Sequence, residues 1–138
     1  MHLLNISEGP YLALHGLYIV GKRSPKKTTV NYIAHKLNAS KAHIAKVFQR
    51  LAKNGVVKSF CGPAGGFVLT EEAKNLSLIE IFKRSGENVL HSDCPFNRST
   101  CPFDECILSN DINKLSEELY AKFANTTLED ILEDKIDD

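Results

Sequence analysis

A mainly α-helical fold with a small β-wing, a winged helix-turn-helix followed by a long dimerisation helix, is what three observations in this chain predict. Apolar residues recur at helical spacing in the N-terminal part, with Ile44, Val47, Phe48 and Leu51 on one face. Two short strand-like runs, residues 56–60 and 67–69, flank the turn Gly62-Pro63-Ala64-Gly65-Gly66. Further on, Leu108, Ile112, Leu115 and Leu119 make a narrow apolar stripe in an otherwise polar stretch.

The elements follow in order. Leu14, Leu17 and Tyr18 with Tyr11 place a first helix over about residues 7–21, ended by Gly21 and Pro25. A second runs from Thr28 or Thr29 to about Leu37. A third begins after Ser40, a good N-cap, and sets Ala42, Lys46, Gln49 and Lys53 opposite its core face. Joined at Asn38-Ala39, the last two read as a helix-turn-helix whose third helix enters a major groove by its N-terminal end. The strand pair behind them is a wing, with a turn small enough for backbone to approach DNA. Ser77-Leu78-Ile79-Glu80 is a capping box for a short helix to about Arg84. A longer helix is expected from Asp104 to about Asn125, its stripe better buried against a second copy than within one small domain. Thr127-Leu128-Glu129-Asp130 caps an acidic terminal helix expected to fray.

The formal net charge of zero conceals a polarity. Residues 1–60 hold ten Lys/Arg against Glu8 alone, whereas residues 111–138 hold three Lys against nine Asp/Glu. A basic half joined to an acidic half is the signature of phosphate binding by the former. The apolar stretch in the first 20 residues has no basic segment before it and is interrupted by His15 and Gly16, so neither a signal peptide nor a membrane span is read there. Enzyme signatures are missing too: no phosphate-cradling loop follows a parallel-type strand, and no nucleophile elbow or acid pair occurs.

Cys94, Cys101 and Cys106 lie in the run HSDCPFNRSTCPFDEC. Their intervals are too long for a redox Cys-x-x-C pair and match no common zinc-finger count, yet a loop of this length can wrap three thiolates around a metal centre. Clustered thiols with a lone Cys61 fit a reducing, cytoplasmic compartment. Soft thiolates suit zinc and iron–sulfur clusters alike, and a cluster-free thiol switch is a third possibility. Cys106, expected in the first turn of the long helix, would have its thiolate favoured by the helix dipole. Cys61 is expected to be a small buried or half-buried wing residue, and His91 a solvated loop residue.

The run LNASKAHIAKVFQRLAKNGVVKSFCGPAGGFVLT, the cysteine loop behind a short helix and the closing NTTLEDIL resemble the bacterial winged-helix regulators of the IscR and NsrR family. The resemblance covers nearly the whole chain. It implies a homodimer on double-stranded DNA with a two-fold symmetric site, no membrane, and an iron–sulfur cluster ([4Fe-4S] or [2Fe-2S]) held by Cys94, Cys101 and Cys106. Glu8 stands where some relatives place an acidic fourth ligand, near the partner's cluster. Two positions depart from the pattern: Cys61 replaces an arginine of many wings, and Ser109 replaces a histidine.

The expected organisation is therefore a DNA-binding winged helix-turn-helix over 1–85, a cluster-binding cysteine loop over 86–106, and a dimerisation helix with an acidic segment over 107–138. Candidate DNA contacts are Thr28, then Ser40, Lys41, Ala42, His43, Lys46 and Arg50 of the recognition helix, and Lys58, Gly62, Gly65 and Gly66 of the wing. The function implied is transcriptional regulation sensing iron, redox state or nitric oxide; the alternative is a winged-helix regulator with a structural zinc or a thiol redox switch.

Overall fold

The computed structural model describes residues 4–5, 7–86, 90–91, 96, 101–108 and 110–134. After a short strand β1 (Leu4–Asn5), helix α1 (Glu8–Arg23) buries Leu12, Ala13, Leu17 and Val20 in the centre of the molecule. It runs through Gly21, contrary to the expected stop, and ends just before Pro25, whose ring and missing N–H forbid another turn. Gly21 instead permits a close approach: a Cβ there would lie 2.8 Å from both terminal methyls of Leu132.

Helix α2 (Val30–Leu37) is capped by Thr29, whose hydroxyl accepts the Tyr32 N–H at 3.1 Å, and it ends on Asn38 in the left-handed region (φ 52). Helix α3 (Lys41–Lys53) starts from Ser40, whose hydroxyl accepts the His43 N–H at 3.3 Å. Ile44, Val47, Phe48 and Leu51 are all buried, as the spacing requires. Strands β2 (Val57–Phe60) and β3 (Gly66–Leu69) pair antiparallel from Val57↔Leu69 to Phe60↔Gly66. Phe67 also exchanges two backbone hydrogen bonds with Thr28, at 2.8 and 3.0 Å, so the segment before α2 is sewn to the wing.

A 3-10 turn (Ala73–Asn75) leads to α4 (Leu78–Arg84), where Ser77 accepts the Glu80 N–H at 3.1 Å. Strand β4 (Leu90–His91) pairs with β1, bringing the entry of the cysteine segment beside the start of the chain. Helix α5 (Asp111–Asn125) begins later than the expected Asp104. Asn110, with φ 59 and no side-chain cap, turns the chain into it. Leu119, Tyr120 and Phe123 lie half-buried on the core, Phe123 edge-on to Phe82 at 5.8 Å, while Leu115 stays 49% exposed. The apolar stripe is thus divided between the chain's own core and its surface.

Helix α6 (Leu128–Asp134) is packed onto the domain, contrary to the expected fraying of an acidic terminal helix. Thr127 and Asp130 cap it reciprocally, at 2.9 and 3.1 Å. Leu128 is fully buried, and its N–H donates to the Leu76 carbonyl at 3.1 Å. The C-terminal segment therefore completes the hydrophobic core of the N-terminal domain. No described helix is long and apolar enough to cross a membrane.

Candidate nucleic-acid interface and cysteine segment

Burying one face of α3 leaves the other outward. Lys41, Ala42, Lys46, Gln49 and Lys53 are exposed along it, and Ser40 is exposed at its start. His43 sits half-buried in the first turn with Nδ1 3.9 Å from Glu8 Oε2. Arg50 is drawn aside: a Cβ on Gly86 would meet its Cδ at 3.0 Å and its Nη1 at 3.2 Å, which sets this guanidinium against the end of α4 and off the outward stripe. Thr28 is corrected more sharply. It is fully buried, its hydroxyl accepts from Arg23 Nε at 3.1 Å, and it anchors the wing instead of offering a contact.

The wing is exposed at Lys58, Ser59, Phe60 and Gly62. Gly62 (φ +87) has open space where a Cβ would be, so backbone conformation alone calls for glycine there. At Gly65 a Cβ would collide with the Phe60 carbonyl, because its N–H turns back to the Gly62 carbonyl at 2.9 Å. Gly66 (φ +138) is crowded by the Thr28 carbonyl, 2.9 Å from its would-be Cβ. A groove of about 300 Å³ separates wing and α2, with Thr29 and Asn31 on one side and Ser59, Phe60 and Pro63 on the other. Lys27, absent from the sequence-derived set, places Nζ 4.3 Å from the Phe60 ring centroid. No local pattern could have found it, since the pair depends on the Thr28–Phe67 bridge.

At the other end of α3, Asn54 and Arg84 clasp one another. Asn54 Nδ2 donates to the Arg84 carbonyl at 2.9 Å and Arg84 Nη1 donates to the Asn54 carbonyl at 3.2 Å. The same guanidinium reaches Glu72 at 3.0 Å and Glu80 at 3.2 Å. Hydrogen bonding from Arg84, reinforced by its charge, holds the Glu72 carboxyl below its ordinary value, and the Glu72 contact raises Arg84 in return.

Of the cysteines, Cys101 and Cys106 are free and exposed, and Cys106 Sγ accepts the Leu108 N–H at 3.4 Å. Because α5 starts only at Asp111, Cys106 lies outside that helix, and the dipole expected to act on it is removed. Cys61 is exposed too, against the expectation of burial. Cys94, the His91 side chain, Asp93 and Ser109 fall outside the described residues. Among the described residues no three His, Cys, Asp or Glu converge on one point. The donor chemistry still fits a soft metal centre: two accessible thiols share one segment, and one already receives a backbone N–H of the kind that stabilises thiolate charge.

Residues 6–134 match the family described as Rrf2, iron-dependent transcriptional regulator. The HTH-type transcriptional regulator IscR of Klebsiella pneumoniae (strain 342) is 29% identical over 100 residues, a match covering 72% of this chain and 61% of that protein. This chain thus spans less than two thirds of that relative. Among solved structures, CymR (YrzC), the global cysteine regulator of B. subtilis, superposes with a TM-score of 0.71 at 22% identity, covering 96% of this chain and 98% of that one. IscR of T. potens gives 0.66 at 18% identity, covering 94% and 87%. Likeness at these identities speaks for the fold, and the family match speaks for membership: the chain belongs to the Rrf2 family of transcriptional regulators.

Proposed function

We propose that the protein is a homodimeric regulator that binds double-stranded DNA at a two-fold symmetric site and senses iron, redox state or nitric oxide through an iron–sulfur cluster. The observation that carries the DNA reading is the outward face of α3, with Lys41, Lys46 and Lys53 exposed beside an exposed wing on the basic half of the chain. Its N-terminal turn suits a major groove, and its lysines displace counterions from phosphates. Exposed Leu115 on α5 and Ile107 in the segment before it, at 49% and 77%, support burial of this surface against a second copy.

Cys94, Cys101 and Cys106 would hold the cluster, with Glu8 as the fourth ligand. A bound cluster would supply one-electron redox and ligand-exchange chemistry that free thiols do not. The chain's own part is to present soft donors in a solvent-accessible segment and to donate the Leu108 N–H to Cys106 Sγ. Antiparallel pairing of β4 with β1 supports a link from that segment to the start of α1, and hence to the winged helix. A carboxylate is a harder ligand than a thiolate, so a corner held by Glu8 would exchange readily.

Anaerobic purification followed by iron, sulfide and visible-absorption measurement tests the cluster. Iron and sulfide in matching amounts support it, whereas zinc or no metal refutes it. A cluster-free thiol switch is the second reading, favoured by the exposure of Cys61, Cys101 and Cys106. Under that reading, oxidation of the metal-free protein alone alters DNA affinity.

A further inference from the structure

We infer that Lys27, seated on the ring of Phe60, supplies the cation with which the wing meets a DNA backbone phosphate. This deepens the DNA-binding reading above and rests on it. The wing turn, Cys61-Gly62-Pro63-Ala64-Gly65-Gly66, carries no charge of its own. Lys27 belongs to a different part of the chain, yet two backbone hydrogen bonds between Thr28 and Phe67, 2.8 and 3.0 Å, fix its backbone alongside β3. Gly66 is what allows that approach, since a Cβ there would come within 2.9 Å of the Thr28 carbonyl and 3.1 Å of the Lys27 Cβ.

Phe60 follows from the same geometry. It is 40% exposed at the end of β2, where a large apolar ring gains little from burial. Lys27 Nζ stands 4.3 Å from the ring centroid, within the range of a cation–π contact. The ring takes one side of the ammonium and leaves its other N–H donors for solvent or an anion. Lysine is ordinarily a mobile point charge; one held on a ring loses less freedom when it pairs with phosphate. The groove between Phe60 and the start of α2 opens beside this pair, and the cation and the polyanionic duplex are complementary in charge.

The test is titration of the full-length protein, as isolated, with a mixed-sequence duplex over a range of salt concentrations, alongside thermal melts. Lys27→Ala is expected to weaken binding about five- to ten-fold and to make the log–log salt slope shallower by about one. Phe60→Leu should weaken binding about two- to four-fold with the slope kept, because the charge remains but its position is lost. The double variant should bind like Lys27→Ala, and Phe60→Tyr like the wild type. An unchanged affinity and slope for Lys27→Ala overturns the inference, as do strictly additive losses in the double variant, or losses that track a fall in melting temperature. If the wild type itself shows no salt-dependent binding, the DNA reading fails and the inference with it; retention of binding with loss at Lys46→Ala alone sinks only the inference.

Discussion

The carboxylate of Glu8 stands 3.9 Å from Nδ1 of His43, so the first residue of α1 faces the first turn of the recognition helix. The proposed cluster ligand therefore lies beside the helix proposed to read DNA in the same chain. An anion at that edge opposes phosphate, and with Glu8 largely solvated and His43 only half-buried the effect is modest. Glu8→Ala is expected to speed cluster loss or change the visible spectrum, while the apo protein binds DNA about two-fold tighter, roughly 0.5 kcal/mol. Absorbance decay and anisotropy titration read the two effects separately. An unchanged spectrum and loss rate would leave Glu8 as an acid at a helix N-terminus and turn attention to His91, Asp93 or an exogenous ligand.

Arg84 gives a prediction in pH. It bridges Glu72 and Glu80 and returns the Asn54 clasp, joining the ends of α3 and α4. Arg84→Met is expected to lower unfolding free energy at neutral pH by about 1 kcal/mol, chiefly from the lost hydrogen bonds to Glu80 and the Asn54 carbonyl, since solvent screens the exposed Glu72 pair. The Glu72 carboxyl is held below its ordinary value of 4.5 by Arg84, so its folded form favours ionisation. Its contribution is complete above that value and fades as pH drops through the lower folded one. The gap between the urea midpoints of wild type and Arg84→Met should therefore narrow in acid, down to the share owed to the Asn54 clasp. A constant gap from pH 7 downward would dissociate Glu72 from the stabilisation.

Much of this was legible in the sequence, for local reasons. Ser40, Thr29, Ser77 and Thr127 announce their helices because a cap is a contact over three residues, and the face of Ile44, Val47, Phe48 and Leu51 is fixed by helical period. What escaped was set across the chain. Thr28 reads as a surface hydroxyl before a helix, yet the distant Phe67 pulls it inward. Gly21 reads as a helix stop, but its missing side chain serves Leu132 far along the sequence. The start of α5 escaped for another reason: the left-handed turn at Asn110 that leads into it carries no side-chain cap, so no local signal marks it.

Two substitutions test the core. At Gly16 a Cβ would lie 2.7 Å from Phe48 Cε1, and that ring is fully buried. Gly16→Ala gains up to about 1 kcal/mol of helix propensity and loses about 1–3 kcal/mol to overpacking, for a net destabilisation near 1 kcal/mol. Leu128→Ala leaves a cavity where α6 joins the core and should cost about 3 kcal/mol. Denaturant unfolding checks both. A neutral Leu128→Ala would mean that α6 contributes nothing to the domain.

The proposed DNA-binding surface separates position from charge. Lys46 projects from the middle of the outward stripe, between Ala42 and Gln49, where a recognition helix meets base edges; Lys26 is exposed in the loop before α2. On that placement Lys46→Ala should weaken a preferred duplex by about 1–3 kcal/mol and flatten the preference at one or two base pairs. Lys26→Ala should weaken every duplex alike and reduce the salt slope by about one, as the loss of a phosphate contact does. The two losses should add, since Lys46 and Lys26 lie on separate elements, α3 and the loop before α2. Selection from a random duplex pool, repeated for each variant, reads the preference, and anisotropy across salt reads the slope. If both variants bind with wild-type affinity and select the wild-type sequence, α3 is not the reading helix.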